Sequence, residues 1–105
     1  KIDIAKAYEL HNEGVLFVDV NSPRGYEFAH IPGAVGLDFR TMITEENLAE
    51  HATKDQAIVF YCPREGCYVA AQASAKAVTW GYTKVMILEG GAAAWSEAGY
   101  PIEGE

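Results

Sequence analysis

Ile58-Val59-Phe60-Tyr61-Cys62-Pro63-Arg64-Glu65-Gly66-Cys67-Tyr68-Val69-Ala70-Ala71 joins two different hydrophobic patterns. Four apolar residues run into Cys62, the signature of a short buried strand. After Tyr68 an alanine-rich pattern with helical spacing begins. Cys62 therefore belongs at a strand end, where a tight loop enters a helix N-terminus. Backbone N–H groups converge at such a place, and the helix dipole adds positive potential. A cysteine there has its thiolate stabilised, with its pKa below the ordinary value of about 8.5. Read locally, Cys62 is either a reactive nucleophile or a small buried residue at a strand end.

Working outward, the chain alternates strands and helices. Asp3 reads as an N-cap, with Ile4, Ala7, Tyr8 and His11 on one helix face and Gly14 as the stop. Val15 to Val20 is a nearly continuous apolar run, expected of a strand buried on both faces in a parallel sheet. Asp19 interrupts it and needs a partner or a sheet edge. Asn21-Ser22-Pro23 starts a short helical piece, with Pro in the first turn. Pro32-Gly33 is a turn before a short strand around Val35-Gly36-Leu37. Thr44 caps a helix that turns Leu48 and Ala52 inward. In the helix after Cys62, Val69, Ala73, Ala77 and Trp80 form one stripe, and Gly81 ends it. Lys84 to Leu88 is a further strand. Gly90-Gly91 breaks the chain before a helix over Ala92 to Ala98 that contains Trp95. This order predicts an α/β fold with a largely parallel sheet and helices on both faces. In such sheets chemistry gathers beyond the carboxyl ends of the strands, where both Cys62 and Asp19 are expected.

The bulk numbers narrow the classes. With 105 residues and half of them hydrophobic, the expectation is a single domain over 1–105 with one real core. A formal charge of −7 offers no basic field for nucleic acid or an acidic membrane surface, so neither is expected as a partner. Two cysteines make neither a disulfide framework nor a four-cysteine zinc site. With His11, His30 and His51 scattered, no metal site and no cofactor are expected. The chain starts at Lys1 without a signal-like segment, as a processed or truncated form would. The expected compartment is cytoplasmic or periplasmic.

A set of motifs spread over nearly the whole chain resembles the rhodanese-like domain. They are Asp19-Val20, Glu27-Phe28-Ala29-His30-Ile31-Pro32-Gly33-Ala34, the strand-Cys62-loop-helix unit, Gly81-Tyr82 with Val85, Glu89-Gly90-Gly91 with Trp95, and Gly99-Tyr100-Pro101. The resemblance implies a central five-stranded, mostly parallel sheet flanked by helices. It also implies a sulfurtransferase whose cysteine carries sulfane sulfur as a persulfide, from a donor such as thiosulfate to a thiol or cyanide. Cys62 would be the nucleophile. Pro63, Arg64, Glu65, Gly66, Cys67 and Tyr68 would form the substrate-binding loop, all but Pro63 offering amides to the anionic sulfur. The implied partners are a small sulfur-donor anion or persulfide and a thiol or protein acceptor, with the protein a monomer or weak dimer.

The loop departs from the family pattern. Members commonly carry Gly three residues and a basic residue five residues after the cysteine, then Ser or Thr. Here those positions hold Glu65, Cys67 and Tyr68, with glycine at Gly66. Arg64 is the one cation of the loop, and Asn21 stands where an Arg often follows Asp-Val. Weaker thiosulfate binding is expected, or a persulfide donor. Cys67 reads as a passive loop residue, a resolving thiol or a second sulfur acceptor. The alternatives are a thiol/disulfide redox module using Cys62 and Cys67, a non-catalytic rhodanese-like interaction domain, and a phosphatase or arsenate reductase. The last needs a loop Arg where Cys67 and Tyr68 stand. His30 reads as a hydrogen-bonding residue of its turn, His11 and His51 as surface residues, and Trp80 and Trp95 as core. Glu45, Glu46 and Glu50 read as a solvated helix face.

Overall fold

A computed structural model describes residues 1–63 and 68–104. Helix α1 (Ile4–Asn12) opens at Asp3, whose side chain accepts the Lys6 N–H at 2.9 Å. Strand β1 (Leu16–Asp19) leads to Ser22, which caps α2 (Pro23–Phe28), and then to β2 (Val35–Gly36). Thr44 caps α3 (Glu45–Ala49), whose first turn holds Glu45 and Glu46 against the positive end of the helix dipole. Strand β3 (Ile58–Tyr61) precedes α4 (Val69–Thr79), which is followed by β4 (Val85–Ile87) and α5 (Gly91–Glu97).

The strands form a parallel sheet in the order β2-β1-β3-β4. Register pairs Leu16 with Ile58 and Asp19 with Tyr61, so β1 and β3 end level with one another. Every residue of β3 is fully buried, because side chains alternate and both faces are covered. Ile58, Phe60 and Cys62 face one core with Val18, Leu48 and the alanines Ala70, Ala73 and Ala77 of α4. Phe17, Val59 and Tyr61 face the other, with Ala7, Leu10 and Trp95. The small residues of α4 let that helix lie close to the sheet. Trp95, at 0% exposure, fills the space between the sheet and α1 and α5.

Three expectations are corrected. The sheet has four strands among the described residues, not five. Ile2 makes a single parallel bridge to Leu88, its N–H bonding the Ile87 carbonyl at 2.8 Å and its carbonyl accepting from Glu89 at 2.9 Å. Asp3 caps α1 at the next residue, so the pairing cannot lengthen. Trp80 is half-buried as the C-cap residue of α4 and packs against the edge of the core instead of within it. His11 is not a surface residue. It lies four residues after buried Ala7, so it shares that inward face; its Nε2 sits 2.8 Å from the Pro32 carbonyl oxygen and its ring lies edge-on to Phe17 and Trp95. No helix among the described residues is long and apolar enough to cross a membrane.

Candidate active site

Cys62 follows the last residue of β3 and is 4% exposed. Its Sγ accepts the Ala70 N–H at 3.3 Å. Ala70 is the second residue of α4, and the first-turn amides of a helix have no carbonyl partners within it. Tyr68 at the N-cap makes no side-chain capping bond, so the sulfur does the capping. A sulfur in that position meets the positive end of the α4 dipole, and negative charge on it is favoured.

A second helix N-terminus holds the same peptide. Ala92 N–H bonds the Cys62 carbonyl and Ala93 N–H bonds the Pro63 carbonyl, both at 2.9 Å. These are first-turn amides of α5 that again lack partners in their own helix. Gly90, with φ +81°, makes the turn that aims them. A Cβ on Gly90 would stand 2.6 Å from the Ala94 Cβ, so both its conformation and the space require glycine.

Asp19 stands beside Tyr61 across the β1–β3 pair and is 2% exposed. Its carboxylate accepts the Asn21 N–H at 2.9 Å and a hydrogen bond from the Tyr61 hydroxyl. The same hydroxyl oxygen accepts the Ile31 N–H at 3.0 Å. One chain of donors thus links the turn at Ile31 to the end of β3 and to Asp19. Burial raises the pKa of Asp19 above the ordinary carboxyl value, against the opposing effect of its hydrogen bonds. Burial, with the Asp19 charge beside it, pushes the Tyr61 phenol far above its usual range. His30 belongs to the same turn. Its Nδ1 donates to the Tyr26 carbonyl at 2.7 Å, its ring stacks on Tyr26, and its Nε2 lies 3.5 Å from Glu103.

A pocket of about 280 Å³ opens at this end of the sheet, bordered by Asp19, Phe28, Pro63, Ala92, Ala93 and Ser96. Its walls are mostly apolar, and Phe28 is 74% exposed.

Of the residues singled out from the sequence, Cys62 and Pro63 lie at the β3 end, and Tyr68 is exposed at the N-cap of α4. Arg64, Glu65, Gly66 and Cys67 lie outside the described residues. Sequence reasoning noticed Asp19 but not its tie to Tyr61; period-two alternation in two strands of known register is the signal that pairs them. It missed the α5 amides on Cys62 and Pro63 altogether, since nothing local marks them.

The rhodanese-like domain model matches residues 3–98. The chain belongs to the rhodanese-like domain family. A sulfurtransferase of Allochromatium vinosum is 34% identical over 90 residues, which is 86% of this chain and 79% of that protein. The thiosulfate sulfurtransferase GlpE of Pseudomonas syringae is 29% identical over 103 residues, covering 98% of this chain and 92% of its own length. Among solved structures, the BH2092 protein of Bacillus halodurans superposes with a TM-score of 0.87 at 28% identity, over 99% of this chain and 76% of that one. In this rhodanese-like domain Cys62 stands at the carboxyl end of the central strand β3.

Proposed function

We propose that the chain is a sulfurtransferase in which Cys62 carries sulfane sulfur as a persulfide. The observation that carries this reading is the Ala70 N–H directed at the Cys62 sulfur from the start of α4. In the reduced protein the Cys62 thiolate attacks the sulfane sulfur of a donor such as thiosulfate. The donor's S–S bond breaks, sulfite leaves with the electron pair, and Cys62 holds an outer sulfur that is anionic. The amides and dipole of α4 offset that charge without a side-chain base. An acceptor thiolate then takes the outer sulfur and returns Cys62 to its thiolate. Arg64, the one cation in the loop sequence, binds an anionic donor, while Glu65 opposes it. Named sulfurtransferases among the relatives support the same activity class.

The test is intact-mass spectrometry of reduced protein incubated with thiosulfate and, separately, with a small persulfide. The reading expects one added sulfur atom, mapped to Cys62 and removed by a thiol. Absence of the adduct with both donors rejects it.

A further inference from the structure

Sulfur transfer asks Cys62 to carry negative charge, first as a thiolate and then on the outer sulfur. Cys62 is 4% exposed, so nearby peptide dipoles act on that charge with little screening by water. Two of these dipoles belong to the carbonyls of Cys62 itself and of Pro63. A peptide oxygen is the negative end of its dipole and repels an anion that it faces. The peptide between Cys62 and Pro63 has no N–H, because its nitrogen is that of proline. It can turn an oxygen toward the sulfur but never a donor. In the structure both oxygens are bound elsewhere. The Cys62 carbonyl accepts the Ala92 N–H and the Pro63 carbonyl accepts the Ala93 N–H, each at 2.9 Å. Helix α5 packs through Ala92 and Trp95 on the core that contains Val59 and Tyr61, whereas Cys62 packs with Ala70 and Ala73 of α4 in the other. The two oxygens are thus held on the α5 side of the sheet and the sulfur on the α4 side. Neither amide serves a bond within α5; the next one, of Ala94, bonds the Gly90 carbonyl at 3.3 Å.

We propose that Ala92 and Ala93 are positioning residues for the chemistry of Cys62. Their amides hold the Cys62 and Pro63 carbonyl oxygens off the sulfur, so that negative charge there meets the Ala70 N–H unopposed by those two dipoles. The role in transfer rests on the sulfur-carrier reading of Cys62; the effect on the thiolate does not.

Two measurements test this. First, the full chain is made with Ala92→lactic acid or Ala93→lactic acid, each of which exchanges one amide N–H for an ester oxygen. The control, Ala94→lactic acid, removes the N–H that bonds Gly90 within α5 instead. No ionisable side chain changes, so the titratable groups around Cys62 are the same in every protein compared. Reduced protein is alkylated with iodoacetamide across a range of pH, and the rate is read at Cys62 by peptide mapping. The apparent pKa of Cys62 should rise by about one unit in the first two variants, slowing alkylation below that pKa about tenfold while the high-pH plateau is kept. The control should stay within about twofold of wild type. Rates within about twofold of wild type in the first two variants, or equal slowing in the control, overturn the proposal. Second, wild-type protein needs no variant to fold. NMR scalar couplings across hydrogen bonds are sought from the Ala92 nitrogen to the Cys62 carbonyl carbon and from the Ala93 nitrogen to the Pro63 carbonyl carbon, before and after Cys62 is loaded with sulfur. Couplings in both states support the role; their absence before loading, or their loss on loading, overturns it. Alkylation uses no sulfur donor, so a Cys62 that responds to the esters as expected but never takes up sulfur overturns the carrier reading and upholds the positioning of the thiolate.

Discussion

Replacing Tyr61 with Phe keeps a fully buried ring in place and removes one oxygen. The Ile31 N–H, 3.0 Å from that oxygen, then has lost the acceptor seen for it, and Ile31 is itself 0% exposed. A buried donor without a partner costs about 1–3 kcal/mol. Asp19 loses the Tyr61 hydroxyl as a donor as well, and a hydrogen bond to a charged group contributes about 1.5–3 kcal/mol. Burying one polar group fewer offsets part of this, leaving a net loss of roughly 3–4 kcal/mol. That is a large share of the roughly 5–15 kcal/mol that holds a typical domain together. Urea unfolding followed by circular dichroism measures it. With a slope of about 1.5 kcal/mol per molar, the midpoint should drop by roughly 2 M while the slope stays the same. In an Asp19→Asn background the cost should differ by about 1 kcal/mol or more, because the two side chains share one hydrogen bond. A loss below about 1 kcal/mol, or strict additivity with Asp19→Asn, would refute the bonded network at the end of β3.

Other substitutions test other parts. Cys62→Ser should abolish sulfur transfer while leaving the circular dichroism spectrum unchanged; appreciable residual turnover removes Cys62 as the carrier. Arg64→Ala should raise KM for thiosulfate more than it lowers kcat, because the lost interaction is mostly uniform binding; a pure kcat loss would place Arg64 in the transition state. Asp19 has a raised pKa in the folded state, so the folded protein binds its proton more tightly than the unfolded chain does. From the ordinary carboxyl range up to that raised value, stability should therefore fall as pH rises, and Asp19→Asn should flatten the slope; equal slopes in urea titrations across pH would contradict the assignment. Gly90→Ala should lower stability by about 1–3 kcal/mol through a positive φ and the clash with Ala94, read as a fall in Tm; an unchanged Tm would mean that the turn can adapt.

Much of the fold was legible locally. The apolar run Ile58–Tyr61 and the alanine stripe after it are periodic signals carried by the chain itself, and the structure has a strand and a helix there. Asp3 and Thr44 were readable as caps because a capping bond spans only three residues. The position of Cys62 between a strand and a helix follows from the same local patterns. Register, by contrast, is set by which strands meet. Only the folded sheet brings Asp19 level with Tyr61 and hands the Tyr61 hydroxyl to Ile31, thirty positions away in the chain. The α5 amides reach Cys62 and Pro63 because Gly90 turns the chain back across the sheet. His11 was drawn inward by Trp95 and Pro32, and Trp80, at the end of α4, packs only against the edge of the core. The fifth strand shrank to Ile2 because a local cap at Asp3 took precedence over further pairing. Periodicity and capping act over a few residues and can be read along the chain. The pocket, the buried carboxylate and the second helix on Cys62 depend on contacts between distant segments, and those exist only once the core has closed.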